Sequence, residues 1–226
     1  MSAFEAVVFD LDGTLIDSIP DVVAAMNQVL VEEGRRPISL DEGKSMVGEG
    51  PGPMIRDAIA LTGDTIDAAQ LPALVERYIA FYRATPADHT IVYPGVRDVL
   101  EQLAGDGVIM GVCTNKPHEM SNLVLDALGM DHFFKAVIGG DALAVRKPDS
   151  GHVHAVLDGM KSSSSSAAFV GDSPTDMQAA RNAGLPSVAV SYGYSIVGPE
   201  NLDADILIPE FFELPAALTQ LAEGRN

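Results

Sequence analysis

The 226 residues suffice for one α/β core plus a smaller insert, and 47% hydrophobic with 20% charged residues is a globular composition, not a disordered one. Lys and Arg number 14 against 32 Asp and Glu, a formal net charge of −18, which argues against nucleic-acid binding and against docking on anionic lipid. No run approaches the roughly 20 apolar residues of a membrane span, the N-terminal residues lack a secretory pattern, and the single Cys113 allows no internal disulfide. A cytoplasmic monomer or homodimer is expected. An acidic chain still binds an anionic substrate if local cations reverse the field at the site.

Taken in chain order, short Val- and Ile-rich runs at residues 6–9, 108–113, 136–138, 167–170, 187–190 and 206–208 read as strands. Several are apolar at consecutive positions, as expected of parallel strands covered on both faces. Amphipathic segments at 96–103, 120–128, 153–160, 175–183 and 214–221 read as helices, and Gly129 and Gly184 follow two of them where a C-cap wants positive φ. The alternation predicts an α/β fold with a doubly wound, Rossmann-like parallel sheet.

One interval breaks the pattern. From about Pro20 to Asp88 there is no strand signal, only three apolar faces of helical period: Val22, Val23, Met26, Val29 and Leu30; Met54, Ile55, Ala58 and Ile59; and Leu74, Val75, Tyr78, Ile79, Phe81 and Tyr82. About seventy residues is far longer than an ordinary crossover. A helical domain at 18–91, inserted into a core of 1–17 and 92–226, is expected. The serine run 162–166 reads as a polar loop.

The first strand ends in Asp10-Leu11-Asp12-Gly13-Thr14. Ligands of open α/β sheets bind beyond the carboxyl ends of strands, although an Asp there also serves as an N-cap or turn residue. A second pair, in Gly171-Asp172-Ser173-Pro174-Thr175-Asp176, again follows an apolar strand. Capping with Pro174 at the first helical position accounts for one acid of that pair. It does not account for acids at two strand ends. Carboxylates brought together repel, at about 4 kcal/mol for each pair about 4 Å apart in an effective dielectric of about 20. A hard divalent cation resolves that conflict; an oxygen-only donor set suits Mg²⁺, and no His/Cys cluster offers a zinc site. Histidines 89, 118, 132, 152 and 154 are dispersed and read as surface or structural. Thr114-Asn115-Lys116-Pro117 and Arg146-Lys147-Pro148-Asp149 supply hydroxyl, amide and cationic groups at two further strand ends. Cys113 reads as a small buried hydrophobe.

Together these segments resemble the haloacid dehalogenase superfamily, whose four motifs occur in order as Asp10-x-Asp12-x-Thr14, Thr114, Lys147 and Gly171-Asp172-x-x-x-Asp176. The wording of the motifs, and a helical interval after the first, most resemble the phosphoglycolate phosphatase branch. The resemblance implies an Mg²⁺-dependent phosphomonoesterase acting on a small phosphorylated metabolite. Asp10 would be the nucleophile and a metal ligand; Asp12 would be general acid and base, its backbone carbonyl also on the metal. Thr114, Asn115 and Lys147 would hold the phosphoryl group. Asp172 would ligate the metal, and Asp176 would ligate it or hold a metal-bound water or Lys147. Asp12 argues against the dehalogenases of the superfamily, and Thr14 against its β-phosphoglucomutase branch, although a phosphomutase stays open. A non-catalytic relative should have lost a catalytic side chain, and none of Asp10, Asp12, Thr114, Lys147 or Asp172 is missing.

Specificity in such a family resides in the cap. Residues 47–52, Val-Gly-Glu-Gly-Pro-Gly, read either as a cap loop facing the site through Gly48, Glu49 and Gly50 or as an ordinary inter-helix loop. Arg56 reads either as a contact for a substrate carboxylate or as a solvated helix residue.

Overall fold

Ala6, Val7, Val8 and Phe9 are all fully screened from solvent, and they form the strand on which the molecule is organised. In a computed structural model that describes residues 4–224, the strands are β1 (Ala6–Phe9), β2 (Ile16–Asp17), β3 (Ile91–Val92), β4 (Ile109–Cys113), β5 (Phe134–Ile138), β6 (Ala167–Gly171), β7 (Ser187–Val190) and β8 (Ile206–Ile208). Six of them form a sheet in the order β5-β4-β1-β6-β7-β8, parallel at every pairing. The six strands expected from the sequence are these six, with ends shifted by two residues or fewer.

Alternate residues of β1 face opposite layers, as the two-residue period of a strand requires. Val7 and Phe9 pack with α5 (Val96–Gly105), α6 (His118–Ala127) and α9 (Leu214–Glu223). Ala6 and Val8 pack with α7 (Ser150–Met160) and α8 (Pro174–Ala183). Gly184 takes a left-handed conformation as the C-cap of α8, and Gly129 does so just beyond α6.

Between β2 and β3 lie four helices: α1 (Ile19–Glu32), α2 (Leu40–Lys44), α3 (Pro51–Thr62) and α4 (Leu71–Ala84). The three apolar faces read from the sequence fall on α1, α3 and α4 and pack together. Two features escape sequence reading. The five-residue α2 is closed by a capping box between Ser39 and Glu42. The antiparallel ribbon β2–β3 joins the helices to the sheet, and at two residues per strand it is too short for a period to show. Asp21, 3% exposed, secures the return limb by accepting from the Thr90 N–H at 2.7 Å, the Thr90 hydroxyl at 2.6 Å and the His89 N–H at 3.0 Å. No helix among the described residues is long and apolar enough to cross a membrane.

Candidate active site

The carboxyl ends of β1, β4 and β6, with the loop after β5, open onto one cavity of about 460 Å³ beneath α2, α3 and the loop between them. Asp10 follows β1, its N–H held by the Val170 carbonyl at 2.9 Å. Lys147 comes from the β5–α7 loop, and its Nζ lies 2.6 Å from Asp10 Oδ1 and 2.6 Å from Asp176 Oδ1. The lysine is 4% exposed and Asp176 is fully buried. Asp172 and Asp176 flank the start of α8, where Ser173 and Asp176 form a capping box. The second Asp176 oxygen accepts from the Ser173 hydroxyl at 2.6 Å and N–H at 3.0 Å. Its carboxylate therefore aims one oxygen at Lys147 and is locked by the helix start.

Asp172 is aimed by Thr14, whose hydroxyl donates to Oδ1 at 2.9 Å, and by the Tyr194 N–H, which donates to Oδ2 at 2.7 Å. It sits in a slot between glycines: a Cβ at Gly13 would lie 2.5 Å from the carboxylate, and one at Gly193 would lie 2.3 Å from the Asp172 Cβ. Asp10, Asp172 and Asp176 each present an oxygen within 4.8 Å of the others. Three buried acids against one ammonium leave an excess of negative charge. Burial raises the Asp10 carboxyl to about 7 despite the opposing pull of Lys147. Burial, then Asp176 and Asp10, raises Asp172 well above the carboxylate range. Burial alone would lower the lysine, but Asp10 and Asp176 more than reverse it and hold it charged. A hard divalent cation fits this oxygen-only donor set and relieves the excess.

Asp12 sits apart from that cluster. Its carboxylate accepts from Lys116 Nζ at 3.0 and 3.2 Å and from the Ser18 hydroxyl at 2.5 Å. Lys116 also donates to the Tyr82 hydroxyl of α4 at 2.7 Å and lies over that ring. Thr114 is buried at the cavity floor. Asn115 stands at the cavity beside Thr114. Its Nδ2 donates to the Gly48 carbonyl at 3.0 Å and the Lys147 carbonyl at 3.2 Å, so both side-chain N–H groups are committed to protein and none remains for a phosphoryl oxygen. Gly48, Glu49 and Gly50 line the cavity. Arg56 does not: it is exposed on α3, and its neighbour Asp57 faces the cavity instead. Burial pushes the Cys113 thiol up to about 12, which removes it as a nucleophile near neutrality.

Sequence reading missed Lys116, Tyr194 and His152. The first was quoted within a motif but had no role. The second follows the fifth core strand in a Tyr-Gly-Tyr stretch with no acid to draw notice. His152 is fully buried; its Nδ1 accepts from the Lys147 N–H at 3.0 Å and its Nε2 donates to the Gly139 carbonyl at 3.2 Å. A histidine five residues after the lysine, on the first turn of the next helix, was the available signal.

The architecture agrees with comparisons to known proteins. The haloacid dehalogenase-like hydrolase family matches residues 7–190. A phosphoglycolate phosphatase of Caulobacter vibrioides is 42% identical over 215 residues, covering 95% of this chain and 91% of that protein. One from Rhodospirillum rubrum is 40% identical, covering 93% and 89%. The crystal structure of a predicted phosphoglycolate phosphatase from Haemophilus somnus superposes with a TM-score of 0.89 at 27% identity, covering 96% of this chain and 99% of that one. The chain belongs to the haloacid dehalogenase-like hydrolases, as a phosphatase of the phosphoglycolate phosphatase-like kind.

Proposed function

We propose that the enzyme hydrolyses small phosphomonoesters, 2-phosphoglycolate foremost, through a phosphorylated Asp10, with Mg²⁺ held by Asp10, Asp172 and the Asp12 backbone, while Asp176 ligates the metal, holds a metal-bound water or holds Lys147. The observation that carries this reading is the Lys147 ammonium shared between Asp10 and Asp176 at the ends of parallel strands. When bound, the cation supplies charge neutralisation that lets an anionic phosphoryl group approach three acids. An Asp10 carboxylate oxygen attacks phosphorus, and the bond to the leaving oxygen breaks as Asp12 donates its proton to that alkoxide. Asp12, now a carboxylate, takes a proton from water; the hydroxide attacks the same phosphorus, the acyl phosphate bond breaks, and Asp10 is regenerated with release of inorganic phosphate. Lys147 and Thr114 hold phosphoryl oxygens through both steps. Lys116 and Ser18 keep the Asp12 carboxylate off the acidic cluster and available to the leaving group.

Residues 18–91 act in this reading as a cap domain over a core of 1–17 and 92–226. The substrate rests on the relatives that bear the phosphoglycolate phosphatase name. The test is phosphate release from 2-phosphoglycolate, sugar phosphates, nucleotides and pyrophosphate, with Mg²⁺ and with EDTA. Expected are metal-dependent turnover, a preference for 2-phosphoglycolate, and loss of turnover in Asp10→Asn by about four orders of magnitude. Full activity in EDTA or in Asp10→Asn would remove the mechanism. Isomerisation of a sugar phosphate without phosphate release would replace it with a mutase.

A further inference from the structure

The Asn115 carboxamide joins three segments that are far apart in sequence. It stands on the core loop after β4, is 6% exposed, and donates at once to Gly48 in the α2–α3 loop and to Lys147 in the β5–α7 loop. Both partners are carbonyl oxygens, so the amide orientation is fixed: flipped, Oδ1 would face two acceptors. The cap loop is shaped for this contact. Gly48 and Gly50 have φ of +128° and +85°, a region side-chain-bearing residues rarely enter. At Gly50 a Cβ would lie 3.1 Å from the Asn115 carbonyl oxygen and 3.4 Å from an Arg146 guanidinium nitrogen. The glycines thus bring backbone against the core as well as against the cavity. Asn115 Oδ1 is buried with no hydrogen-bond partner among the described residues.

We propose that Asn115 is a positioning residue: a latch that ties the cap loop 47–52 to the backbone of the catalytic lysine, so that cap closure and placement of Lys147 occur together. This rests on the phosphatase reading but concerns a residue whose committed donors exclude side-chain phosphate binding in the closed form. The cap–core distance is measured in the full-length, Mg²⁺-loaded protein with fluorophores on Leu61→Cys and Leu207→Cys. Both positions are more than two-fifths exposed, while Cys113 is fully buried and unreactive to label. In Asn115→Ala and Gly50→Ala the distance should lengthen or broaden relative to the otherwise native protein. In unlabelled forms of the same variants, KM for the phosphomonoester should rise about ten-fold and kcat should fall about ten-fold as Lys147 loses its placement. Asn115→Asp, which sets acceptors against two carbonyls, should open furthest. Gly50→Ala leaves Asn115 intact and so guards against a folding defect in the first variant. An unchanged distance overturns the latch. So does a parallel loss of substrate and inorganic phosphate affinity at unchanged distance, which would make Asn115 a phosphate ligand. If the native protein hydrolyses no phosphomonoester, the functional reading fails, while the distance readout still decides the latch.

Discussion

The two walls of the cavity are built on opposite plans. The floor gathers Asp10, Thr114, Lys147, Asp172 and Asp176, all 8% exposed or less, and each acid is held by donors from the core or from the start of α8. The facing wall is Val22, Met46, Val47, Pro51, Pro53 and Met54, with Glu49, Asp57 and Tyr78, and includes no lysine or arginine. It returns to the core through a ribbon of two residues per strand. In the proposed function, the charged floor would supply the chemistry and the apolar wall would select what is attached to the phosphate. Among the described residues, the cations lining the cavity, Lys116 and Lys147, both come from the core side.

The sharpest way to break this division is to remove charge from the floor. Lys147→Met leaves Asp10 and Asp176 buried without their shared cation. Metal-free protein should lose about 3–5 kcal/mol of stability and turnover should fall about a thousand-fold. Urea unfolding in EDTA and in Mg²⁺ checks the first expectation, and the metal should recover part of the loss. A variant as stable and active as the native chain would show that the floor is not an electrostatic unit. Next in size is the return limb. Asp21→Ala strips acceptors from Thr90 and His89 and should cost about 3 kcal/mol, yet leave Mg²⁺ binding within two-fold, roughly, because no floor residue moves. Mg²⁺ titration of that variant by calorimetry separates the two walls.

The same division explains what could be read from the sequence. The floor was legible because its acids follow apolar runs at strand ends, and a strand that is apolar throughout marks its own ends. Asp10 and Asp172 each follow such a run, and Lys147 completes an ordered set with them. The wall was legible only as helices. Its contacts to the floor run through Tyr82, Gly48 and the carboxamide of Asn115, groups with no charge or period to announce them. Lys116 went unassigned for a related reason: its partner Asp12 follows β1 and is brought near only by the pairing of β1 with β4. Arg56 falls to the second of its two sequence readings, a solvated helix residue. A cation beside a glycine loop invites a binding role, but helical phase turns it to solvent and presents Asp57 to the cavity.

A smaller effect should come from the support beneath Lys147. His152 is held below its ordinary value of 6.5 by burial first and by the Lys147 charge second. It is neutral in the folded state, as accepting from the Lys147 N–H requires. A base with a depressed folded pKa contributes stability that is present above its unfolded pKa and is lost as pH falls through the folded one. Relative to His152→Ala, native protein should therefore lose more stability as pH falls below about 6.5, with the variant starting from lower stability. Turnover of the variant should fall about ten-fold, through a lysine held less exactly. Equal acid sensitivity in the two proteins would sink the assignment.

The least effect is expected where cap and core meet in water. Arg83 of α4 pairs with Glu119 of α6, and both side chains are more than half exposed. The pair bridges the same two regions as the Asn115 contact, so if proximity alone governed closure the two should matter alike. They differ in surroundings. An exposed ion pair is screened by salt and gains little once two long side chains are ordered, typically about 0.2–1 kcal/mol. The carboxamide is shielded and touches the lysine backbone directly. Arg83→Ala should shift KM by less than about two-fold, and raising salt should erase even that difference, whereas Asn115→Ala should keep its deficit at any ionic strength. Steady-state kinetics at low and high salt on the two variants decide whether the wall is held by surface charge or by the buried amide.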